Sequence, residues 1–167
     1  VADRFNQVAD GPGWRAPHEI FLAILFHDAI YSPGRRDNET ESARVARALL
    51  ERWHRHPRLD IDRVETLILA TARHGSLTDK DVDPEMALFL DCDMAILGSS
   101  PERFDWYDLA IADEYSPVLP KEAFRVARRA FLERLLARES IFLSDFWRLQ
   151  LESQARQNLK RALAQFP

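Results

Sequence analysis

The stretch "IFLAILFHDAIYSPG", residues 20–34, joins the most apolar run of the chain to two adjacent ionisable side chains. Seven apolar residues lead into His27 and Asp28, and Ala29-Ile30-Tyr31 follow before the breaker Ser32-Pro33-Gly34. The spacing predicts one helix over about 17–31, and we expect it to carry both ionisable side chains into apolar surroundings. An unpaired buried carboxylate is costly, so Asp28 must be paired, protonated or bound to a cation.

The same helical period extends outward over most of the chain. Apolar residues recur three and four apart, and β-branched alternation is scarce. We therefore expect an all-α, single-domain bundle of about seven helices spanning residues 1–167. The predicted helices run over about 17–31, about 38–55, from Asp60 to His74-Gly75, from Asp83-Pro84 to Gly98, from Ser99-Ser100 to Tyr115, about 121–139, and about 144–165.

Composition narrows the class of protein. With 46% hydrophobic and 30% charged residues the chain belongs with soluble globular proteins, and no apolar stretch approaches the roughly 18 residues of a membrane span. A net charge of -4 does not indicate the basic surface that nucleic-acid binding requires. The single cysteine, Cys92, excludes an intrachain disulfide and fits a reducing compartment. We expect a cytoplasmic protein with no nucleic-acid or membrane partner, and a homo-oligomer is possible.

The His27-Asp28 pair has two interpretations. A divalent metal ion accepts both an imidazole nitrogen and a carboxylate oxygen, and it would satisfy both groups at once. Alternatively, the two side chains bond to separate helix ends or to an arginine, and their role is structural.

A second candidate is "LDCDMAILG", residues 90–98. Asp93 shares a helical stripe with Met86, Phe89, Leu90 and Leu97, whereas Asp91 lies about 200° around the helix on a thinner apolar face. We therefore expect Asp93, rather than Asp91, to point inward. Two buried acids and a buried histidine on two helices favour a metal site.

Three further segments each allow a structural and a functional interpretation. His74 ends a predicted helix, as a C-terminal cap or as a site residue. The acids of "DNETESA", residues 37–43, either cap the next helix or place Glu39 or Asp37 near a metal-bound water. The basic stretch 121–138, which includes Arg128, is either a solvated helix face or a surface that binds an anion.

Taken in order, these motifs resemble the HD-domain superfamily of metal-dependent phosphohydrolases. They are most similar to a poorly characterised branch of predicted HD hydrolases with the pattern FHDxxY, DNExxSA, H, LDxDLAILG, EY and ARxNL. The matching residues here are Phe26-His27-Asp28…Tyr31, Asp37-Asn38-Glu39…Ser42-Ala43, His74, Leu90-Asp91…Asp93-Met94-Ala95-Ile96-Leu97-Gly98, Glu114-Tyr115 and Ala155-Arg156…Asn158-Leu159.

The resemblance implies an HD-like fold and a divalent metal ion, which would be Mn, Fe, Ni, Zn or Mg. It implies His27, Asp28 and Asp93 as metal ligands, with Asp28 and His74 as catalytic residues. A small phosphorylated molecule would be the substrate, with Glu39 and Arg128 in contact with it. Hydrolysis would use a water whose pKa the metal lowers.

The superfamily has one more ligand histidine, on a helix before the His-Asp helix. Nothing before His18 can supply it, and the chain begins at Val1 without a methionine. We therefore expect a preceding N-terminal segment whose helix carries this histidine and covers the apolar run 20–26.

Two rival functions stay open. The first is an HD fold that keeps its cation but catalyses oxidation or nothing. The second is an all-α binding or regulatory domain whose buried polar groups are purely structural.

Overall fold

The computed structural model describes residues 1–53 and 57–165, and within these ranges the chain is all-helical, without a strand. The helices are α1 (Ala2–Asp10), α2 (Pro17–Phe26), α3 (Asn38–Trp53), α4 (Ile61–Thr71), α5 (Pro84–Met94), a 3₁₀ turn (Ala95–Gly98), α6 (Pro101–Tyr115), α7 (Lys121–Ala137) and α8 (Asp145–Leu163). The predicted all-α class is confirmed. None of these helices combines the length and the apolar character needed to cross a bilayer.

The chain divides into two compact units, Val1–Cys92 and Asp93–Pro167. In the first unit, α3 and α4 pack closely together, and α2 packs against both. Alanine and aliphatic side chains fill this core, and the alanines allow the three helices to approach closely. The fully buried members include Ile20, Ala23, Ala43, Ala46, Val64, Leu67 and Ile68.

Two carboxylates, one buried and one largely so, join the elements of the first unit by binding backbone N–H groups. Glu19 of α2 accepts from the N–H of Asp60, the residue whose own side chain caps α4 by accepting from Arg63. Glu85 of α5 accepts from Arg15 and Ala16, at the start of α2. Each carboxylate thus satisfies N–H groups at a helix N-terminus, where negative charge is favoured.

In the second unit, α8 packs against the 3₁₀ turn, α6 and α7. Aromatic and leucine side chains form its core, and Trp147, Phe104, Phe142, Leu132, Leu135 and Leu159 are fully buried. Arg156 of α8 donates to the carbonyls of Leu136, Arg138 and Glu139 and so closes the C-terminal end of α7. The arginine of the ARxNL motif is therefore a helix cap in this structure.

The asparagine of the same motif, Asn158, fixes the 3₁₀ turn. Its buried side-chain amide donates to the carbonyls of Leu97, at 2.8 Å, and of Ser99, at 2.9 Å. These two bonds satisfy one backbone carbonyl within the "AILG" segment and one just after it.

We expect Asn158→Ala to lower the free energy of unfolding by about 2 kcal/mol, because it leaves two buried carbonyls without this donor. Chemical denaturation of the full chain measures the effect. Asn6→Ala, at an exposed position of α1, is the matched control and should change stability by less than about 0.5 kcal/mol. Equal stability of the two variants would show that the Asn158 bonds contribute nothing net.

Several predicted helix bounds are wrong. The helix expected over 17–31 ends at Phe26, and the one expected to reach Gly98 becomes a 3₁₀ turn after Met94. At the end of α2, the Ser42 side chain of α3 accepts from the N–H of Ile30, which a continued helix would have used. The helix α1 was not predicted, and the expected end of α3 near residue 55 lies outside the described residues.

The helix α1 covers part of the apolar run that follows it. Phe5 stacks on Trp14, with ring centroids 5.4 Å apart, and meets the edge of Phe21 of α2 at 5.7 Å. The N–H of the Trp14 indole donates to the carbonyl of Phe5. This helix carries no histidine, so the predicted further ligand does not come from it.

Candidate metal centre

His27 is the first residue after α2, and its imidazole is held from one side by that helix. The side chain is 11% exposed, and Nδ1 lies 2.8 Å from the carbonyl oxygen of Ile24. Because a carbonyl oxygen only accepts, Nδ1 carries the proton and donates it. In the neutral imidazole the lone pair is therefore on Nε2, the atom that a metal ion would bind.

Asp28 lies beside that nitrogen. Its Oδ2 is 3.2 Å from Nε2 of His27, while the Asp28 side chain as a whole is 62% exposed. The expectation that both side chains sit in apolar surroundings is thus right for His27 and wrong for Asp28. His27 still has helical dihedral angles and bonds to the carbonyl of Ala23. Asp28 therefore continues the side of α2 on which Phe21 and Leu25 are exposed.

The distance between the two atoms fits a shared cation. Two ligands at a right angle, each about 2.1 Å from a divalent ion, stand about 3.0 Å apart. An unprotonated nitrogen and a carboxylate oxygen this close repel each other unless a proton or a cation lies between them. Nε2 and Oδ2 therefore form either two adjacent ligands of one metal ion or an ion pair with a doubly protonated imidazole.

The segment after Asp28 is fastened to α3 by the "DNETESA" motif. The Ser42 hydroxyl accepts from the N–H of Ile30 and donates to its carbonyl, at 3.0 and 3.1 Å. The Asn38 amide does the same for both backbone groups of Ser32, each at 3.0 Å. The motif was predicted to supply a helix cap and acids. Its two short polar side chains four residues apart were the available signal for this second role, which sequence reasoning missed.

The acids of this motif have separate surroundings. Asp37 is exposed and forms a two-pronged ion pair with Arg35, and the hydrogen bonds from that guanidinium lower the pKa of the Asp37 carboxyl below its usual range. Glu39 is half-buried in the first turn of α3. Its predicted contact with substrate stays a prediction.

His74 lies three residues beyond the end of α4, in a turn where its N–H donates to the carbonyl of Thr71. Its side chain is half-buried, and Nε2 is shielded from solvent. The predicted helix end at His74-Gly75 is thus a turn that follows the helix. Its predicted catalytic role is untested.

The burial of the two acids on α5 is the reverse of the prediction. Asp91 is 1% exposed, whereas Asp93 is half-buried. Every residue from Met86 to Cys92 is buried, so this part of α5 has no exposed face to separate an inward acid from an outward one. The spacing of apolar residues can distinguish an inward from an outward side chain only on a helix that has an exposed face.

Asp93 belongs to the second unit, where it influences a buried phenol. Burial raises the pKa of the Tyr107 hydroxyl; the Arg128 guanidinium opposes this, and the charges of Asp93 and Asp108 reinforce it. Arg128 itself is buried, bonded to Asp108 at 2.6 and 2.9 Å, and stacked near the rings of Tyr107 and Phe131. Arg128 is therefore not on a solvated helix face, and its predicted contact with an anionic substrate remains untested.

Within residues 1–53 and 57–165, no three His, Cys, Asp or Glu side chains are grouped so that they could hold a metal ion. The pair that the structure does bring together is His27 and Asp28. Asp93 as a third ligand stays a prediction from the sequence. Comparisons with protein-family profiles, with curated proteins and with solved structures found no match to this chain.

Proposed function

We propose that this protein is a metal-dependent phosphohydrolase that acts on a phosphate ester or a nucleotide. The observation that supports the proposal is the His27–Asp28 pair, in which the imidazole is held through its Nδ1–H and Nε2 lies 3.2 Å from a carboxylate oxygen. One member is buried and the other is open to solvent. A cation held there would have a rigid ligand on its inner side and room for substrate on its outer side.

When bound, a divalent cation lowers the pKa of a coordinated water and neutralises charge on a phosphoryl group. His27 would bind it through Nε2, with the Ile24 carbonyl holding the proton at Nδ1. Asp28 would bind through Oδ2, which leaves Oδ1 to accept a proton from the attacking water. The proposal keeps Asp93 as a third ligand, His74 for the phosphate or leaving oxygen, and Glu39 and Arg128 for substrate.

The proposal also covers the cellular compartment, the substrate class and the metal ion. Cys92 is a buried free thiol, which suits a reducing cytoplasm. We propose a small phosphorylated molecule as substrate. Mixed nitrogen and oxygen ligands suit Mn²⁺, Fe²⁺, Ni²⁺, Zn²⁺ or Mg²⁺.

Calorimetric titration of Mn²⁺, Ni²⁺ and Zn²⁺ into the metal-free full chain tests the proposal. We expect saturable binding by the wild-type protein and a loss of at least about 100-fold in affinity for His27→Gln, since changes to outer-shell partners alone cost 10–100-fold. His18→Gln, at an exposed histidine of α2, is the matched control and should bind like the wild type. The loaded protein is then assayed against p-nitrophenyl phosphate and a panel of nucleotides.

The outcomes separate the proposal from its rivals. Metal binding that depends on His27, together with phosphate release, supports a hydrolase. Binding that depends on His27 without release from any ester favours an HD fold without this activity. No saturable binding, or equal affinity of His27→Gln and His18→Gln, would leave the pair as a structural ion pair and refute the proposal.

A further inference from the structure

We propose that Asn38 and Ser42 are positioning residues that hold Asp28 against His27. This inference rests on the proposed function, because it concerns the same metal site. It assigns the site two residues of α3 that touch neither the metal nor the substrate.

Asp28 needs such support because its own side chain is not packed. With 62% of that side chain exposed, the position of its carboxylate depends on the backbone that carries it. On the N-terminal side this backbone leaves α2 through a turn, in which the N–H of Ala29 donates to the carbonyl of Phe26. On the C-terminal side it enters an irregular segment with no helix of its own.

Asn38 and Ser42 supply the hydrogen bonds that a helix would have supplied there. Ser42 bonds both backbone groups of Ile30, and Asn38 bonds both backbone groups of Ser32, over distances of 3.0–3.1 Å. Both side chains are buried. Because they stand four residues apart on α3, they share one face of that helix and meet alternate residues of the segment.

The two anchored residues, Ile30 and Ser32, lie two and four positions beyond Asp28. Loss of either anchor leaves two backbone groups without their protein partner and frees the segment to move. The Asp28 carboxylate then loses its fixed place beside Nε2, while His27 keeps its bond to the Ile24 carbonyl. The affinity for the metal ion should fall because Asp28, one of the two ligands in the His27–Asp28 pair, becomes mobile.

The metal-free protein gives the first test, by NMR on the wild type, Asn38→Ala and Ser42→Ala. We expect the amides of Ile30 and Ser32 to exchange at least about tenfold faster in the variant that loses their anchor, with shifted imidazole resonances of His27. Asn158→Ala is the matched control, since it removes a buried asparagine that makes two backbone bonds elsewhere. It should leave these signals unchanged. Asn38→Asp, which keeps the acceptor and loses the donor, replaces Asn38→Ala if the latter does not fold.

Titration with Co²⁺ gives the second test, because its visible spectrum reports the ligand geometry. Both alanine variants should bind Co²⁺ about 10–100-fold more weakly and shift the spectrum toward that of Asp28→Ala. Asn158→Ala should keep the wild-type spectrum, and Ser42→Thr, which retains the hydroxyl, should restore it.

The two experiments distinguish an error in the proposed function from an error in the positioning role. A wild-type chain that binds no Co²⁺ contradicts the proposed function, and the metal-free signals still decide the positioning role. If the amides exchange faster but His27 resonances and Co²⁺ affinity stay at wild-type values, Asn38 and Ser42 only stabilise the segment and the inference is wrong.

Discussion

Asp28→Ala should lower the affinity for Mn²⁺ or Ni²⁺ by at least about 100-fold, more than is usual for the loss of an outer-shell partner. Asp28 places a carboxylate oxygen 3.2 Å from Nε2 of His27, and its removal takes away one of the two ligands of the His27–Asp28 pair. Stability without metal should change by less than about 0.5 kcal/mol, because the substituted side chain is 62% exposed. Calorimetric titration and thermal unfolding of the same samples measure the two quantities.

A charge-matched control excludes a general electrostatic effect. Asp79→Asn removes one negative charge from an exposed position between α4 and α5 and should leave the affinity unchanged. Asp28→Asn removes the same charge but keeps the volume, and should resemble Asp28→Ala. If the Asp28 variants bind metal as tightly as Asp79→Asn, Asp28 is not a ligand and the ion-pair interpretation of the His27 contact is the correct one.

The sequence was a good guide to where helices begin. The predicted caps at Asp60 and Asp83 are present, with Asp60 accepting from Arg63 and Asp83 accepting from Met86. Such caps are local, since donor and acceptor stand three residues apart in the chain. Helix starts are therefore encoded within a few residues.

Helix ends were less predictable than helix starts. After α2, Ser42 binds the backbone of Ile30 across 12 positions, and after α5 the chain tightens into the 3₁₀ turn at Ala95. The apolar period continues through both ends, so a pattern of spacing alone extends each helix too far. No local signal marks a segment that a later helix will bind.

A second limit, the assignment of buried and exposed sides of apolar helices, explains the mixed result at the candidate site. The burial of His27 follows from its place at the end of an apolar helix, and it was predicted correctly. The exposure of Asp28 follows from its place on the side of α2 that Phe21 and Leu25 occupy, and both of these side chains are exposed although they are apolar. The predicted order of burial of Asp91 and Asp93 was also wrong. Residues 86–92 of α5 are buried on every side, so the spacing of apolar residues does not distinguish an inward side chain from an outward one.

Gly98→Ala should destabilise the protein by about 3 kcal/mol, at the upper end of the usual cost of overpacking. A Cβ added at Gly98 would lie 2.6 Å from Cβ of Leu151 and 2.9 Å from its carbonyl oxygen. Neither atom can rotate away, since Cβ and the carbonyl are fixed by the backbone of α8. The 3₁₀ turn and α8 would have to separate, which also lengthens the bonds from Asn158 to Leu97 and Ser99.

Equilibrium denaturation of Gly98→Ala and a matched glycine variant measures this cost. Gly75→Ala meets nothing within 4 Å, so it should be neutral or stabilise slightly by restricting the unfolded chain. Leu151→Ala should not rescue Gly98→Ala, because alanine retains the Cβ that clashes. Leu151→Gly should rescue it in part, and a double-mutant cycle would then give a coupling energy of about 1 kcal/mol or more. If Gly98→Ala is as stable as Gly75→Ala, the close approach of α8 to the turn is not what requires glycine at this position.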